Sequence, residues 1–585
     1  MICFPWPVVV VWAGLAQGAP LPVLKRSDVA FMYSAGADVY RAYGATVLAW
    51  GGTPTEESLA AAREAGVVYF GSVGMVTEFA RFIDEFPDYE AAICLDVEGN
   101  RLQVPWLWDH SHRGIPAYWF CTNQPLSREY LRRRVVEIVR GGADGVHVDD
   151  HLGTAGNSWL GGCYCDRCLA GFGEFLAARA TGEPQAEAGV TDVAGLDYRQ
   201  LVLDWLAAHP EQKDELGARP LARLFATYQS RAAAAFMLEL RGLAAETAGR
   251  PVPLSANVGV PNLAQVADYE ALDLLACEVD QQAGQRRAHD GVVVAYKLAE
   301  ALQRPVAATA SGWDWAFIKE HNLPGLVRLW IAQAYALGQH FMAPHYQWCY
   351  TQEKGTHWYD GPPEEYAWLY RFVRDHAALF DGYEPVAEVG VVLAARAQRQ
   401  GRNEAADAAV ALGSANVPFR LLVGGDEQLP AALSAEELTA CRTVVAPHAD
   451  LLEAADQAAL ERRAEQGGVL PWQGVEALLA ALASPVRVEG ATNLWVLPRV
   501  RRDDPAAPVI VHLVNRNYDA EADAVVPVAE CRIGLRTSLW GGRNLGQAVL
   551  HQPRAEPQTV ALEGDGEWVV ATVRGLRLWG VMELR

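Results

Sequence analysis

Short apolar runs alternate with amphipathic stretches from about Ala45 to Trp348. The stretch "SREYLRRRVVEIVRGG" has apolar residues at helical spacing and ends at Gly-Gly, which indicates a helix and its end. The apolar runs have the length of strands, and eight of them are "ATVLAW", "VVYFGSVG", "AYWFCTN", "GVHVDD", "VPLSANVG", "LLACEVD", "PVAATAS" and "QHFMAPHYQW". Two more, "VAFMYS" and "AAICLD", leave the strand count open by one or two. Eight strand–helix repeats predict a (β/α)8 TIM barrel, a fold of the α/β class.

The pattern changes after the barrel, which we assign to residues 21–384 with a helical insertion at about residues 175–250. Residues 385–490 repeat the strand–helix alternation in "VAEVGVVLA", "VPFRLLVGG" and "CRTVVAPHA", which predicts a smaller flavodoxin-like α/β domain with a parallel sheet. Its loops lack a glycine-rich phosphate cradle, so we do not predict a nucleotide site there. Residues 491–585 contain mainly short β-runs, typical of a small β-sandwich.

Composition narrows the possible partners. The chain of 585 residues carries a net charge of −22, which argues against nucleic-acid binding, because that needs clustered Lys and Arg. No run after the N-terminus is long and apolar enough to span a membrane. Residues 1–20 resemble a secretory signal but lack an early Lys or Arg. If they act as a signal, the protein is secreted or periplasmic; otherwise we expect it in the cytoplasm.

Three cysteines fall within the six residues of "CYCDRC", at Cys163, Cys165 and Cys168. Such a run is compatible with reduced core thiols, a redox pair or metal ligands, and thiolates at this spacing suit a tetrahedral zinc ion. Cys121, at the end of "AYWFC", is the best fourth ligand if "AYWFC" and "GVHVDD" are neighbouring barrel strands. Four ligands leave no open position, so we expect a structural zinc that holds the loop beside the barrel mouth.

The region from "WFCTNQP" through "GVHVDDHLG" to "CYCDRCLAGFGEFL" resembles the fourth-strand region of glycoside hydrolase family 42 β-galactosidases. Members of that family carry a similar Cys-Tyr-Cys-x-x-Cys zinc loop, and "QHFMAPHYQWCYTQEKGTHWYDG" is similar to their eighth strand. The domain after Pro385 resembles their trimerisation domain, and the β-rich tail resembles their third domain. The resemblance implies a clan A barrel that forms a homo-oligomer, such as a trimer.

The sequence departs from that family at both catalytic positions. His151 stands where the family has its acid/base glutamate, and Ala310 or Ser311 stands where it has its nucleophile. We therefore do not carry over β-galactosidase activity, because a scaffold does not determine the chemistry that it supports.

Barrel enzymes place their catalytic groups at the carboxyl ends of the strands. The strand-end carboxylates are Asp149 and Asp150 on the fourth predicted strand and Glu278 and Asp280 on the sixth. Adjacent strand residues point to opposite sides, so we expect one of the two aspartates to face the cavity. As in retaining α-glycosidases of related barrels, we predict Asp149 or Asp150 as nucleophile and Glu278 or Asp280 as acid/base. The structural alternatives for each carboxylate are a helix cap and an ion pair.

Four tryptophans, Trp50, Trp313, Trp315 and Trp348, lie at or just beyond predicted strand ends, which is more than core packing needs. Stacking on the apolar face of a sugar ring is the natural use for such side chains, and it predicts a carbohydrate substrate. The predicted substrate-binding residues near these strand ends are Trp50, His151, Trp313, Asp314, His345 and Trp348. A strand-end His or Trp also serves often as a core residue.

These features predict a glycoside hydrolase acting on an oligo- or polysaccharide. Two other interpretations stay open. A polysaccharide lyase would need a base beside a uronate and a cation for its carboxylate, groups that "DHSHR" offers with His110, His112 and Arg113. A barrel that has lost catalysis would bind sugar only.

Overall fold

The computed structural model describes residues 24–150, 163–179, 193, 195–263, 265–564 and 566–585. The predicted signal segment, residues 1–20, lies outside the described residues. Eight parallel strands form the first sheet, each buried on both faces as expected for an α/β barrel. They are β1 (Ala30–Tyr33), β2 (Val47–Trp50), β3 (Val68–Gly74), β4 (Gly145–Asp149), β5 (Leu254–Asn257), β6 (Leu274–Glu278), β7 (Val306–Thr309) and β8 (His340–Phe341).

The eight strands follow one another in sequence order around the sheet. A parallel bridge between Phe31 and Ala343, just after β8, brings the last strand back to the first and closes the sheet into a barrel. The predicted TIM barrel is therefore confirmed.

One predicted barrel strand is wrong. The run "AYWFC" forms only isolated antiparallel bridges, from Phe120 to Ile93 and from Tyr118 to Gln103, in the connection between β3 and β4. Since β3 pairs directly with β4 up to Gly74 and Asp149, the barrel has no position between them for another strand. The run "VAFMYS" supplies β1 instead, so "GVHVD" keeps its predicted place as the fourth strand.

The helices that cover the barrel begin and end at residues typical of helix termini. The helix Pro125–Arg140 has Pro in its first turn and Gly141 after its last residue. The barrel helices are Ala37–Tyr43, Glu56–Ala65, Phe79–Glu85, Pro125–Arg140, Asp166–Ala178, Tyr198–Ala208, Pro220–Ala248, Val292–Ala301, Gly312–His321, Pro324–Ala336 and Pro363–Asp375. Three of them lie between β4 and β5, and two of these three, Tyr198–Ala208 and Pro220–Ala248, fall within residues 175–250, where the sequence predicts a helical insertion.

The predicted last barrel strand divides into two elements. After the two residues of β8, the chain enters an antiparallel hairpin of β9 (Tyr346–Thr351) and β10 (Gly355–Asp360). This hairpin brings Trp348, Tyr350 and Trp358 to the barrel mouth.

The second sheet has four parallel strands in the order Phe419–Gly424, Val389–Ala394, Thr443–Val445 and Val469–Leu470. This order, 2-1-3-4, is the flavodoxin-like arrangement that the sequence predicts. The helices of this part are Ala395–Arg399, Glu404–Ser414, Ala435–Ala440, Ala454–Glu465 and Val475–Ala481.

The C-terminal strands form one antiparallel sheet that curls around its own apolar core. Its nine strands, in spatial order, are Glu384–Pro385, Leu494–Val500, Val509–Asn515, Trp579–Leu584, Ala548–His551, Gln558–Gly564, Trp568–Leu576, Val528–Arg536 and Val486–Glu489. Among the described residues, no helix has the length and hydropathy needed to cross a membrane.

Candidate active site

A cavity of about 990 Å³ opens at the carboxyl ends of the barrel strands, where parallel strands bring their last residues together. Asp149 and Asp150 reach it from the end of β4, and Glu278 and Asp280 reach it from the end of β6. All four carboxylates named from the sequence therefore line one cavity.

Asp149 and Asp150 both face this cavity, so the expectation that only one would do so is wrong. Strand alternation ends with Asp149, the last residue of β4. Asp150 follows the strand and has a left-handed backbone with a φ of 46°, so the alternation of strand residues does not extend to it. Left-handed residues other than glycine are uncommon and cluster at functional sites.

Asp149 accepts two hydrogen bonds at the same oxygen. The side-chain amide of Asn257, at the end of the neighbouring β5, donates to Oδ1 over 3.1 Å. The backbone N–H of Asp150 donates to Oδ1 over 3.1 Å. Hydrogen bonds of this kind favour the ionised carboxylate.

Glu278 is held in the protonated form near neutral pH. Burial raises the pKa of its carboxyl to about 8, and the negative charges of Asp149 and Asp314 raise it further in the same direction. Burial also raises the pKa of Asp150 well above its ordinary value, and Asp149 and Glu278 add to that shift. The cavity thus holds two carboxyl groups with raised pKa values, Glu278 and Asp150, beside Asp149, whose negative charge contributes to both shifts.

Asp280 occupies a different environment at the rim. Its side chain is exposed, and Oδ1 accepts a hydrogen bond of 3.1 Å from the backbone N–H of Gln282. The rim position exposes Asp280 to water, whereas Glu278 lies deeper, at the strand end.

The unpredicted polar residues of the site include two at strand ends, Tyr33 and Asn257. Tyr33, at the end of β1, lines the cavity, and burial followed by the charges of Asp149 and Glu278 raises the pKa of its phenol well above the ordinary value. Asn257 ends β5. Both positions are strand ends, the signal that identified the carboxylates, but neither residue type marks a catalytic group by itself.

Aromatic rings form much of the cavity wall. Of the predicted residues, Trp50, Trp313 and Trp348 line it, and Trp313 is 57% exposed. The ring of Trp348 stacks on Tyr350 with centroids 5.9 Å apart, and Trp313 meets Tyr350 edge-on at 5.0 Å. Three further tryptophans of the wall were missed, namely Trp106, Trp119 and Trp358.

Asp314 has a structural role. It is 4% exposed and its carboxylate accepts hydrogen bonds from the backbone N–H groups of Gln281 at 2.8 Å and Ala283 at 2.7 Å. With Ser311 it also forms the capping box of the helix Gly312–His321. Asp314 is absent from the cavity lining among the described residues, and it fixes the loop that follows β6.

The predicted histidines differ in their position relative to the cavity. His345 does not line the cavity within the described part of the chain; its ring packs 6.0 Å from Phe31, and burial lowers its pKa. His151 lies outside the described residues. His110 lines the cavity and is 2.9 Å from Asp109. His112 and Arg113 both contact Asp84, at 2.7 Å and 2.8 Å, and lie apart from the lining.

The four predicted metal ligands come together. The sulfur atoms of Cys121, Cys163, Cys165 and Cys168 lie within 4.8 Å of one another, and all four residues are buried. Sγ of Cys121 is 3.4 Å from that of Cys168 and 3.7 Å from that of Cys165. Zn–S bonds of about 2.3 Å in a tetrahedron place sulfurs roughly 3.8 Å apart, so this cluster can hold a metal ion such as zinc.

The four cysteines lie together for a different structural reason from the one predicted. Cys121 does not end a barrel strand; it lies just before the helix Pro125–Arg140, in the connection between β3 and β4. Two side-chain amides that follow Cys121 in the chain donate hydrogen bonds to the sulfurs of the cluster. Asn123 donates to Sγ of Cys168 over 3.4 Å, and Gln124 donates to Sγ of Cys165 over 3.5 Å. Such donors stabilise thiolates around a metal.

Comparisons with known proteins agree with this architecture. No family model matches the chain. It is 23% identical to an α-agarase of Alteromonas agarilytica over 83% of this chain and 35% of that protein. It is 22% identical to an α-agarase of Thalassotalea agarivorans over 97% of this chain and 41% of that protein. The chain therefore spans only 35% to 41% of the length of these curated relatives.

Two solved structures are similar over nearly the full chain. Alpha-L-fucosidase isoenzyme 2 from Paenibacillus thiaminolyticus has a TM-score of 0.65 at 12% identity, covering 96% of this chain and 100% of that one. The β-galactosidase from Bacillus circulans sp. alkalophilus has a TM-score of 0.61 at 11% identity, covering 96% and 100%. At this identity the likeness establishes the fold, and it confirms the resemblance to the family 42 architecture.

Proposed function

We propose that this chain is a glycoside hydrolase that cleaves an agar-type galactan. The main support is one observation: carboxyl groups from β4 and β6, one hydrogen-bonded by Asn257 and the other with a raised pKa, face a single cavity walled by aromatic rings. The distant relatives named α-agarase point to the substrate class. An aromatic wall is what a polysaccharide needs, because its sugar rings stack on such faces.

Asp149 is the nucleophile and Glu278 the acid/base of the proposed reaction. Glu278 gives its proton to the glycosidic oxygen as the bond to the anomeric carbon breaks, and a carboxylate oxygen of Asp149 bonds to that carbon. Glu278, now ionised, takes a proton from water, whose oxygen displaces Asp149 and releases the sugar. Asn257 and the backbone N–H of Asp150 hold the Asp149 carboxylate in position.

Two features weigh against the other interpretations. A lyase needs a cation beside the substrate carboxylate, and the described residues that line the cavity include no Arg or Lys. A binding-only barrel has no need for a glutamate whose pKa is raised beside the hydrogen-bonded Asp149.

The test incubates the purified chain with agarose and with agaro-oligosaccharides, and it follows new reducing ends by NMR. We expect cleavage by the parent, with D149N and E278Q each lowering turnover at least a hundredfold and the rim variant D280N retaining it. Loss of activity in D280N with E278Q active would overturn the assignment of the acid. An ultraviolet-absorbing unsaturated product, or binding without turnover, would overturn the hydrolase.

We also propose that the cysteine cluster holds a structural zinc ion. The support is the set of four buried sulfurs within 4.8 Å of one another, which is the number of ligands that a structural zinc ion needs. Elemental analysis of the purified chain should find about one zinc per chain. Absence of zinc and of any other thiophilic metal would overturn this proposal.

The homo-oligomer expected from the sequence stays a prediction. Among the described residues 385–490, no large hydrophobic side chain is exposed, so an apolar trimer interface has no support in this part. Sedimentation at micromolar concentration distinguishes a trimer from a monomer.

A further inference from the structure

A second cavity lies where the barrel, the four-stranded sheet and the C-terminal sheet meet. Its volume is about 40 Å³, and its wall includes Lys297 from the helix Val292–Ala301, Phe419 from the four-stranded sheet and Arg499 from the strand Leu494–Val500. Lys297 and Arg499 are the charged residues among the described ones that line it. We call it the junction cavity.

Arg499 is buried without enough acceptors. Its side chain is 2% exposed, and Nη2 donates to the carbonyl oxygen of Ala336 over 2.8 Å. Nε and Nη1 have no hydrogen-bond partner within the described part of the chain. A guanidinium stays charged in proteins, so unpaired buried N–H groups are costly unless an acceptor fills the space that they face.

More positive charge lies close by. The guanidinium groups of Arg26 and Arg499 both lie against Gly338, in the space that a Cβ there would occupy. Lys297 is 6% exposed, with Nζ 3.2 Å from Glu300. The pKa of Arg499 is lowered to about 9, mainly by burial and then by the positive charge of Arg26. The negative charge of Glu300 acts in the opposite direction. Lys297 and Arg499 thus both lie near the positive charge of Arg26 and the negative charge of Glu300.

We infer that the junction cavity binds a small monovalent anion of the halide class, such as chloride. An anion there accepts hydrogen bonds from the unpaired N–H groups of Arg499 and opposes the positive charges of Lys297 and Arg499, whereas a water molecule accepts hydrogen bonds but carries no charge. A volume of about 40 Å³ suits an ion of chloride size, since one water needs roughly 10–15 Å³ by the same measure. The anion would join three parts of the fold by charge-assisted hydrogen bonds.

The first test measures melting temperature while chloride rises from 1 to 100 mM at constant ionic strength, with gluconate as the replacing anion. A ligand that binds only the folded state raises the melting temperature with its concentration, by about 3 °C over this range. We expect this rise in the parent and in the control R501Q, because Arg501 pairs with the exposed Asp503. In R499M the melting temperature should rise by less than about 1 °C over the same range, because the variant lacks the N–H groups that would hold the anion.

Equal shifts in all three proteins would overturn the inference, since they would reflect a general salt effect. If R499M does not fold, crystals of the parent grown in bromide decide the question by anomalous diffraction. A bromide peak within hydrogen-bond distance of Arg499 supports the site; water alone at that position overturns it.

Discussion

The side-chain amide of Asn257 donates a 3.1 Å hydrogen bond to Oδ1 of Asp149, across the pair formed by β5 and β4. This contact orients the carboxylate and favours its ionised form. Asn257 does not need to touch substrate to matter, because a nucleophile must be held both charged and aligned.

Asn257→Ala should lower kcat while leaving KM nearly unchanged. A hydrogen bond to a charged group contributes about 1.5–3 kcal/mol, so its loss in the transition state costs about tenfold or more in kcat. Steady-state kinetics on agaro-oligosaccharides measure this. N403A is the matched control, since Asn403 is exposed in the four-stranded part and makes no side-chain capping bond. Equal kinetics for N257A and the parent would contradict a positioning role.

The pH dependence of activity should report Glu278. Its folded pKa is raised from the ordinary value of 4.5 to about 8, and the general acid must be protonated, so kcat/KM should fall as pH rises through about 8. In E278Q this basic limb should disappear. Residual activity should be greatest on aryl glycosides, because a good leaving group needs little proton donation. An unchanged basic limb in E278Q would assign that limb to another group.

The same shift has a consequence for stability. Because the folded pKa of Glu278 lies above its unfolded value, the protonated form is favoured by folding, and this contribution is lost as pH rises through about 8. The free energy of unfolding of the parent should therefore fall, relative to that of E278Q, between pH 6 and pH 9. Denaturant titrations at several pH values measure the difference. A constant difference across that range would contradict the raised pKa.

Trp313→Ala should weaken binding of long substrates without harming the fold. Trp313 is 57% exposed and meets Tyr350 edge-on, so truncation leaves the core intact. Loss of one stacking surface should raise KM for agaro-oligosaccharides by about three- to tenfold. Trp108 is the matched control, because it is 49% exposed and lies outside the cavity lining. If W108A raises KM as much as W313A, stacking in the cavity is not the cause.

Cys165→Ser should lower both metal content and stability. Removal of one of four thiolates weakens a structural zinc site, and the free energy of metal binding is part of the free energy of folding. We expect the zinc content to drop well below one per chain and the melting temperature to fall by about 5 °C or more. C531S is the control, since Cys531 is equally buried but lies in the C-terminal sheet. Unchanged zinc in C165S would exclude Cys165 as a ligand.

The repeating pattern of apolar strands and amphipathic helices was sufficient to predict the barrel, because each strand must bury both faces beneath a helix. The same pattern could not decide whether "VAFMYS" or "AYWFC" forms a barrel strand, since both runs are apolar and short enough for a strand. That choice depends on pairing: β3 hydrogen-bonds directly to β4, so "AYWFC" is left in the connection between them.

The sequence by itself determined the chemistry available at the site: a pair of aspartates after one strand, a glutamate after another, and a run of thiols at metal spacing. Only the tertiary structure decided how these groups act. Both aspartates line the cavity, with the left-handed Asp150 beyond the strand end, and burial followed by the charge of Asp149 raises the pKa of Glu278. Conformation, burial and the distance between charges depend on residues far apart in the chain, which no local pattern records.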